Sequence, residues 1–270
     1  VSRPAGRLSG TAISADGTAI AFDQYGSGPA VILVHGAFTD RAHPTLAAVA
    51  GTLAPWFTVL NYDRRGRGGS GDTPPYAVER EIEDLAALIE AAGRSAMVFG
   101  GSSGAALALE AAVRIPAITK LAVWEPPYHV DDGAPPLPLD LAARLTALVE
   151  AGRRGEAVER FMAAAGVPDA AVAAMRADPS WPHVEKVAHT LAYEAAVLGP
   201  GNALPAARLA AVTQPTLVLN GRDSPRWMTN AGLAVTAAVP GATRRVLDDQ
   251  AHNVAPEALV PELLEFFVAA

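Results

Sequence analysis

The chain has 270 residues, half of them hydrophobic and 18% charged, which suits a large buried core with an inserted cap and excludes disorder as the dominant state. A formal net charge of -7 gives no electrostatic reason to expect nucleic acid or anionic lipid as a partner, and no apolar run approaches the roughly 18 residues that span a bilayer. With no cysteine, disulfides, thiolate catalysis and Cys-ligated metal centres are all excluded, and the expected partner is a small-molecule substrate.

Val1–Gly10 lacks the basic start, apolar stretch and small-residue cleavage site of a signal peptide, so the sequence as given is expected to be cytoplasmic; its first residue is Val, which leaves a trimmed start open. Thr11–Ser14 and Ala19–Gln24 are predicted strands joined at Asp16-Gly17, a hairpin turn signal. Val31–Val34, Phe57–Tyr62, Ala96–Phe99, Leu121–Trp124 and Thr216–Asn220 are short, nearly all apolar and closed by turn residues, the pattern of buried strands. Thr243–Leu247 is a further strand. Val78–Ala92 is a helix with Ile82, Leu85, Leu88 and Ile89 on one face and Gly93 placed to end it. Ala105–Val113, stopped by Pro116, Pro225–Val239 and Glu257–Ala270 are three more. Strands alternating with helices imply an α/β protein with a mostly parallel sheet covered on both faces.

From Pro126 to about Thr213 the alternation breaks. Helices are predicted near Leu139–Ala151, Gly155–Ala165, Ala170–Ala177 and His183–Leu198, after the Pro-rich linker Pro135-Pro136-Leu137-Pro138. So many helices in succession cannot be single crossovers, so residues 127–213 are read as a helical cap on a core formed by 1–126 and 214–270. The basic cluster Arg64-Arg65-Gly66-Arg67 is too small, and too poor in aromatics, for a nucleic-acid patch.

Gly100-Gly101-Ser102-Ser103-Gly104 follows an apolar strand and opens a helix, the context a G-x-S-x-G nucleophile elbow requires. Small neighbours let the chain turn sharply with Ser102 in a strained conformation, its hydroxyl raised above a helix N-terminus. A plain Gly/Ser turn is the bland alternative, and Ser103 is the weaker nucleophile because Ala105 stands where its second Gly would be. The base is placed at His252, in the loop before the last helix and on the same sheet edge as Ser102. His43, His129, His183 and His189 are read as structural or substrate-facing. No His pair has metal-ligand spacing, so no metal and no cofactor is expected. The amides of Ala37, in the turn after Val31–Val34, and of Ser103 are the oxyanion donors, and His35 braces that turn.

His35-Gly36, the loop Asp63-Arg64-Arg65-Gly66-Arg67-Gly68-Gly69-Ser70, the Ser102 elbow and His252 together resemble the α/β-hydrolase superfamily. The resemblance covers nearly the whole chain in family order. It implies an eight-stranded sheet, an inserted cap and the chain order Ser, acid, His. The Arg64–Ser70 loop is then a structural tight turn. The acid has two candidates. Most of the superfamily places it three residues past a Gly after the seventh strand; here that position holds Ser224, with Asp223 one residue early. A branch that includes some haloalkane dehalogenases and the zearalenone-type lactone hydrolases puts Glu after the sixth strand, where this chain has Glu125. Glu125 is placed ahead of Asp223, because a carboxylate closing an apolar strand needs a cationic or hydrogen-bonding partner such as His252, while Asp223 has an alternative role as cap of the helix from Pro225. Asp131 and Asp132 are outsiders.

The expected function is hydrolysis of a carboxylic ester or lactone of a small apolar or aromatic substrate through an acyl-enzyme. Trp124, Tyr128, Trp181, Trp227, Met228 and Phe38 are candidates to line the pocket, with Phe38 and Trp181 placed first for substrate contact. A serine nucleophile separates the chain from dehalogenases and epoxide hydrolases, which use Asp at the elbow. Thioesterase, perhydrolase and carbon–carbon bond hydrolase share the triad and stay open, as do a lyase or isomerase reaction in the same pocket and a ligand-binding signalling protein with little turnover. Glu257–Ala270 is expected to pack on the core or on another subunit, which leaves a homo-oligomer open.

Overall fold

The structure, a computed structural model, describes residues 6–269. Eight strands form one sheet: β1 (Leu8–Ile13), β2 (Ala19–Tyr25), β3 (Ala30–Val34), β4 (Thr58–Tyr62), β5 (Ala96–Gly101), β6 (Ile118–Trp124), β7 (Thr216–Gly221) and β8 (Thr243–Leu247). Their order is β1-β2-β4-β3-β5-β6-β7-β8. The first two pairings, β1 with β2 and β2 with β4, are antiparallel, and the rest are parallel. This is the α/β-hydrolase fold. The predicted strands all form, most of them a residue or more longer than their apolar cores, because ladder bonding extends into flanking Gly and polar residues.

The alternation of side chains along β3 divides the core. Val31 and Leu33 pack on one face with α1 (Pro44–Leu53) and α11 (Pro256–Val268). Ile32 and Val34 pack on the other with α2 (Val78–Ala91), α3 (Ser103–Arg114) and α10 (Arg226–Ala238). Every residue of β3 is buried, so this strand has no solvent face and reads as a continuous apolar run. Ile82, Leu85, Leu88 and Ile89 are all buried as their spacing requires, and so are the acidic Glu81 and Asp84 beside them. The helix ends as Gly93 predicts: φ there is 112°, and Arg94 N–H reaches back to the Ile89 carbonyl at 2.9 Å.

Between β6 and β7 the chain builds α4 (Leu141–Glu150), α5 (Arg154–Ala164), α6 (Asp169–Ala177), α7 (Trp181–Lys186), α8 (Leu191–Leu198) and α9 (Ala206–Leu209). Leu145, Val158, Trp181 and Leu191 lead a separate apolar cluster there, against which Ala37 and Phe38 pack from the turn after β3. The predicted helix His183–Leu198 is corrected to two helices split by a 3-10 turn at Ala188–Thr190. The Thr190 hydroxyl bonds the Val187 carbonyl at 2.8 Å, a local side-chain bond that competes with helix continuation. Helix α1 was not foreseen: it has no charged residue and begins at Pro44. Among the described residues no helix is long and apolar enough to cross a membrane.

Candidate active site

Strand β5 ends at Gly101 and α3 begins at Ser103, so Ser102 alone makes the bend. Its φ of 56° lies in the left-handed region that L-residues avoid. Its N–H donates to the Trp124 carbonyl at 2.8 Å, and its own carbonyl accepts the Ala105 N–H at 2.9 Å, which starts the helix. The flanking glycines are sterically required. A Cβ on Gly100 would stand 2.4 Å from the Gly104 carbonyl oxygen, and one on Gly104 would stand 2.5 Å from those of Val34 and His35. Gly36 passes directly over the bend, its hypothetical Cβ 3.1 Å from Ser102 Cβ.

His252 sits in the loop between β8 and α11. The Trp124 indole N–H and the Val254 N–H both donate to its carbonyl, at 2.9 and 3.1 Å, which fixes the loop against β6. Its ring Nδ1 lies 2.8 Å from Glu125 Oε2. Glu125 is fully buried, with φ of 45°. Its backbone N–H donates to the Leu219 carbonyl at 3.1 Å, and its Oε1 accepts the Gly221 N–H at 2.9 Å. Burial pushes its pKa up, but hydrogen bonding from His252 and the Gly221 N–H outweighs that, and the carboxyl falls below its ordinary value. An ionised Glu125 requires the proton on Nδ1, which leaves Nε2 of the neutral ring as an acceptor.

Asp223 does not share this arrangement. It is exposed, and its N–H donates to the Gln250 carbonyl at 2.9 Å. The expected helix cap is also absent: Pro225 is itself the N-cap of α10, with no side-chain cap bond. The reason is local. Backbone N–H groups of Arg222 and Asp223 are committed to Leu247 and Gln250, which pins the turn to the His252 loop and turns the Asp223 side chain outward. Of the two outsiders, Asp131 bonds Gly133 N–H and Asn230 instead.

Ser102, Ser103, Ala37 and His252 line one cavity of about 140 Å³. Among the described residues no hydrogen bond joins the Ser102 hydroxyl to the ring, and neither the Ala37 nor the Ser103 amide has an acceptor. The remaining wall is mostly apolar and comes from both sides: Pro127, Trp227 and Met228 near the sheet, and Leu141, Phe161, Ala164, Ala195 and Leu198 from α4, α5 and α8. Among the described residues no Lys, Arg, Asp or Glu lines it. Trp227 and Met228 stand where the sequence suggested. Phe38 and Trp181 are not among the lining residues. Phe38 packs edge-on against Phe161, with ring centroids 5.5 Å apart, and Trp181 is buried in the apolar cluster of α4–α8. Trp124 and Tyr128 are core residues. Phe161 thus takes the place expected for Phe38, a difference of helix packing that spacing cannot show. His129 and Asn202 add a polar patch to the wall.

His35 is fully buried, its Nε2 2.5 Å from Asn61 Oδ1, and burial pushes its pKa down to about 3. It is a neutral brace beneath the turn. The Arg64–Ser70 loop does more than turn. Arg64 pairs with Glu81 at 2.6 Å and Glu194 at 2.8 Å, Arg65 pairs with Asp84 at 2.7 Å, and Arg67 pairs with Glu194. Arg67 Nη1 donates to the Gly36 carbonyl at 2.5 Å and the Thr39 carbonyl at 3.2 Å. The role of Glu194 had no signal beyond an acidic residue on an otherwise apolar helix.

The sequence profile of the alpha/beta hydrolase family matches residues 31–262. The chain belongs to the α/β hydrolase family. A crystal structure of an α/β hydrolase from Sphaerobacter thermophilus is 55% identical and superposes with a TM-score of 0.89, over 96% of this chain and 100% of that one. That of a hydrolase from Pseudomonas aeruginosa is 26% identical with a TM-score of 0.75, over 97% and 98% of the two chains. An uncharacterized hydrolase of Bacillus subtilis, YraK, is 39% identical over 106 residues, 37% of this α/β hydrolase and only 38% of YraK.

Proposed function

We propose that this α/β hydrolase is a cofactor-independent serine hydrolase that cleaves a carboxylic ester or lactone carrying a small apolar or aromatic group. The observation that carries the reading is the 2.8 Å contact of His252 Nδ1 with buried Glu125, on a loop whose histidine shares a cavity with Ser102. Neutral His252 takes the Ser102 proton at Nε2 as the hydroxyl oxygen attacks the carbonyl. Glu125 orients the ring and stabilises its cation without taking the proton. The free amides of Ala37 and Ser103 receive the oxyanion. Protonated His252 then gives its proton to the leaving alkoxide, and water activated by the neutral ring releases the acid. The segment 127–213 acts as the cap that closes the pocket over the substrate.

The wall supports an uncharged substrate, since it offers no charged side chain to neutralise one. The cavity of about 140 Å³ is close to the roughly 150 Å³ known to hold a benzene ring. Ser102→Ala is expected to abolish turnover of phenyl and butyl esters while the circular dichroism spectrum is unchanged, and to lose labelling by a fluorophosphonate at the peptide that contains Ser102. Ester turnover persisting near the wild-type rate in that variant would end the proposal. A parallel panel of esters, lactones and thioesters ranks the acyl groups.

A further inference from the structure

The carbonyl of Gly36 and the amide of Ala37 belong to one peptide unit, in which C=O and N–H point in opposite directions. Whatever holds that carbonyl therefore aims that amide. Two donors hold it: Arg67 Nη1 at 2.5 Å and the Thr39 hydroxyl at 3.0 Å. The Ala37 amide is left without an acceptor among the described residues, in a residue that lines the cavity beside Ser102. Arg67 is 2% exposed, and its guanidinium is paired with Glu194, which is fully buried. Glu194 belongs to α8, whose next residue, Ala195, lines the same cavity from above. Glu194 itself faces away from the cavity, toward Arg64 and Arg67. One carboxylate on the overlying helix thus fixes the cation that fixes the peptide plane.

We propose that Arg67 and Glu194 are positioning residues for the oxyanion donor: Glu194 seats the Arg67 guanidinium against the Gly36 carbonyl, which turns the Ala37 amide toward the developing oxyanion. Seating of α8 on the sheet is thereby coupled to the catalytic step rather than to substrate affinity. A guanidinium against the carbonyl also polarises the peptide and strengthens its N–H as a donor. The inference rests on the serine-hydrolase reading given above.

The test compares wild type, Arg67→Lys, Glu194→Gln, Glu194→Asp, the double variant Arg67→Lys/Glu194→Gln, and Arg65→Lys. The last alters the neighbouring buried pair with Asp84, which does not touch the turn. Each is assayed for kcat and KM on a phenyl ester, for inhibition by a phenyl-bearing trifluoromethyl ketone that forms a tetrahedral adduct, and for thermal melting. Losing one oxyanion donor outright costs about a hundredfold to a thousandfold in kcat, so misaiming one is expected to cost about tenfold to a hundredfold. Arg67→Lys and both Glu194 variants lower kcat and weaken the ketone by similar factors, with KM within about twofold. The double variant is no slower than Arg67→Lys alone, because the residues act in series. Arg65→Lys keeps the wild-type kcat. If Glu194→Gln does not fold, Glu194→Asp and Arg67→Lys decide the matter. Wild-type kcat and ketone affinity in those variants overturn the proposal, as does a loss confined to KM or an equal loss in Arg65→Lys. A wild-type protein that neither cleaves esters nor binds the ketone fails the serine-hydrolase reading itself, and takes this inference with it.

Discussion

Glu125 shows how much one residue's surroundings decide. By type it is an ordinary acid at a strand end; in place it is fully buried and spans the His252 ring and the Gly221 amide. Glu125→Gln is expected to lower kcat of ester hydrolysis by about three orders of magnitude or more, as loss of the orienting acid does in other triads. Asp223→Asn, at an exposed side chain, is expected to stay within about twofold, since surface changes away from such features have small effects. Steady-state kinetics of the two variants checks the assignment, and the reverse order moves the acid to the β7 turn. Because the folded pKa of Glu125 is lowered, its stabilising contribution is full above the ordinary carboxylate value of about 4.3 and is lost as pH falls through the folded value. The melting-temperature gap between wild type and Glu125→Gln should therefore narrow below about pH 4. His35 is also depressed, to about 3, by burial. A neutral buried ring in the folded state, against an ordinary value near 6.5 when unfolded, costs stability progressively as pH falls from about 6.5 toward that value. Ring nitrogen NMR shifts of His35 at pH 5 should be those of a neutral imidazole, and a protonated ring there would contradict its burial. At this scale the grouping of Ser102, His252, Ala37 and Ser103 around one cavity was legible, because a Gly-flanked turn and a loop after a strand leave local marks. Arg67 and Glu194 were not, since their partners lie far off in the chain.

Among the elements, the turns that carry the site are the strained ones. Among the described residues six non-glycine residues have positive φ, and all except Arg94 lie around the cavity or its His loop: Phe38, Ser102, Glu125, Asn202 and Asp249. Each such conformation costs on the order of 1–3 kcal/mol and persists only where neighbours over-determine it. The elbow is over-determined by close backbone approach. Gly104→Ala would press a methyl group to within 2.5 Å of two carbonyl oxygens and should destabilise by about 1–3 kcal/mol or more, read as a lower denaturant midpoint at unchanged slope. Strand and helix types followed from period and length. The split of His183–Leu198 did not, because its helical spacing is uninterrupted and only a Thr190 side-chain bond to the backbone marks the break. Nor did the empty cap at Pro225, where backbone pairing between the β7 turn and the His loop overrode local capping chemistry.

For the whole molecule, the parallel order of β3, β5, β6, β7 and β8 brings the turns bearing Ala37, Ser102, Glu125 and His252 to one edge, although they are spread over more than 200 residues of chain. The helices between β6 and β7 supply the opposite wall and a buried ion network, with Arg64 and Arg67 from the sheet side set against Glu194 from α8. The size of the cavity is set at this scale. Ala164→Leu adds bulk to the wall from α5 and is expected to lower kcat/KM for a phenyl ester by tenfold or so, roughly the worth of a misfit of one or two methylenes. Hydrolysis of an acetyl ester with a small alcohol should be nearly unchanged, and equal losses on both would show that the variant disturbs the fold instead.

Sequence by itself determined the strand–helix alternation, the tight turn at Ser102, the loop that carries His252 and the two carboxylates that could meet it, because hydrophobic period, turn residues and steric need for glycine are local properties of the chain. Only the tertiary structure decided that Glu125 and not Asp223 meets His252, that Phe161 rather than Phe38 or Trp181 lines the cavity, and that Arg67 reaches the turn over Ser102. Those outcomes depend on distances between segments remote in sequence, which are set by how helices and strands pack and leave no mark on the residues' neighbours along the chain.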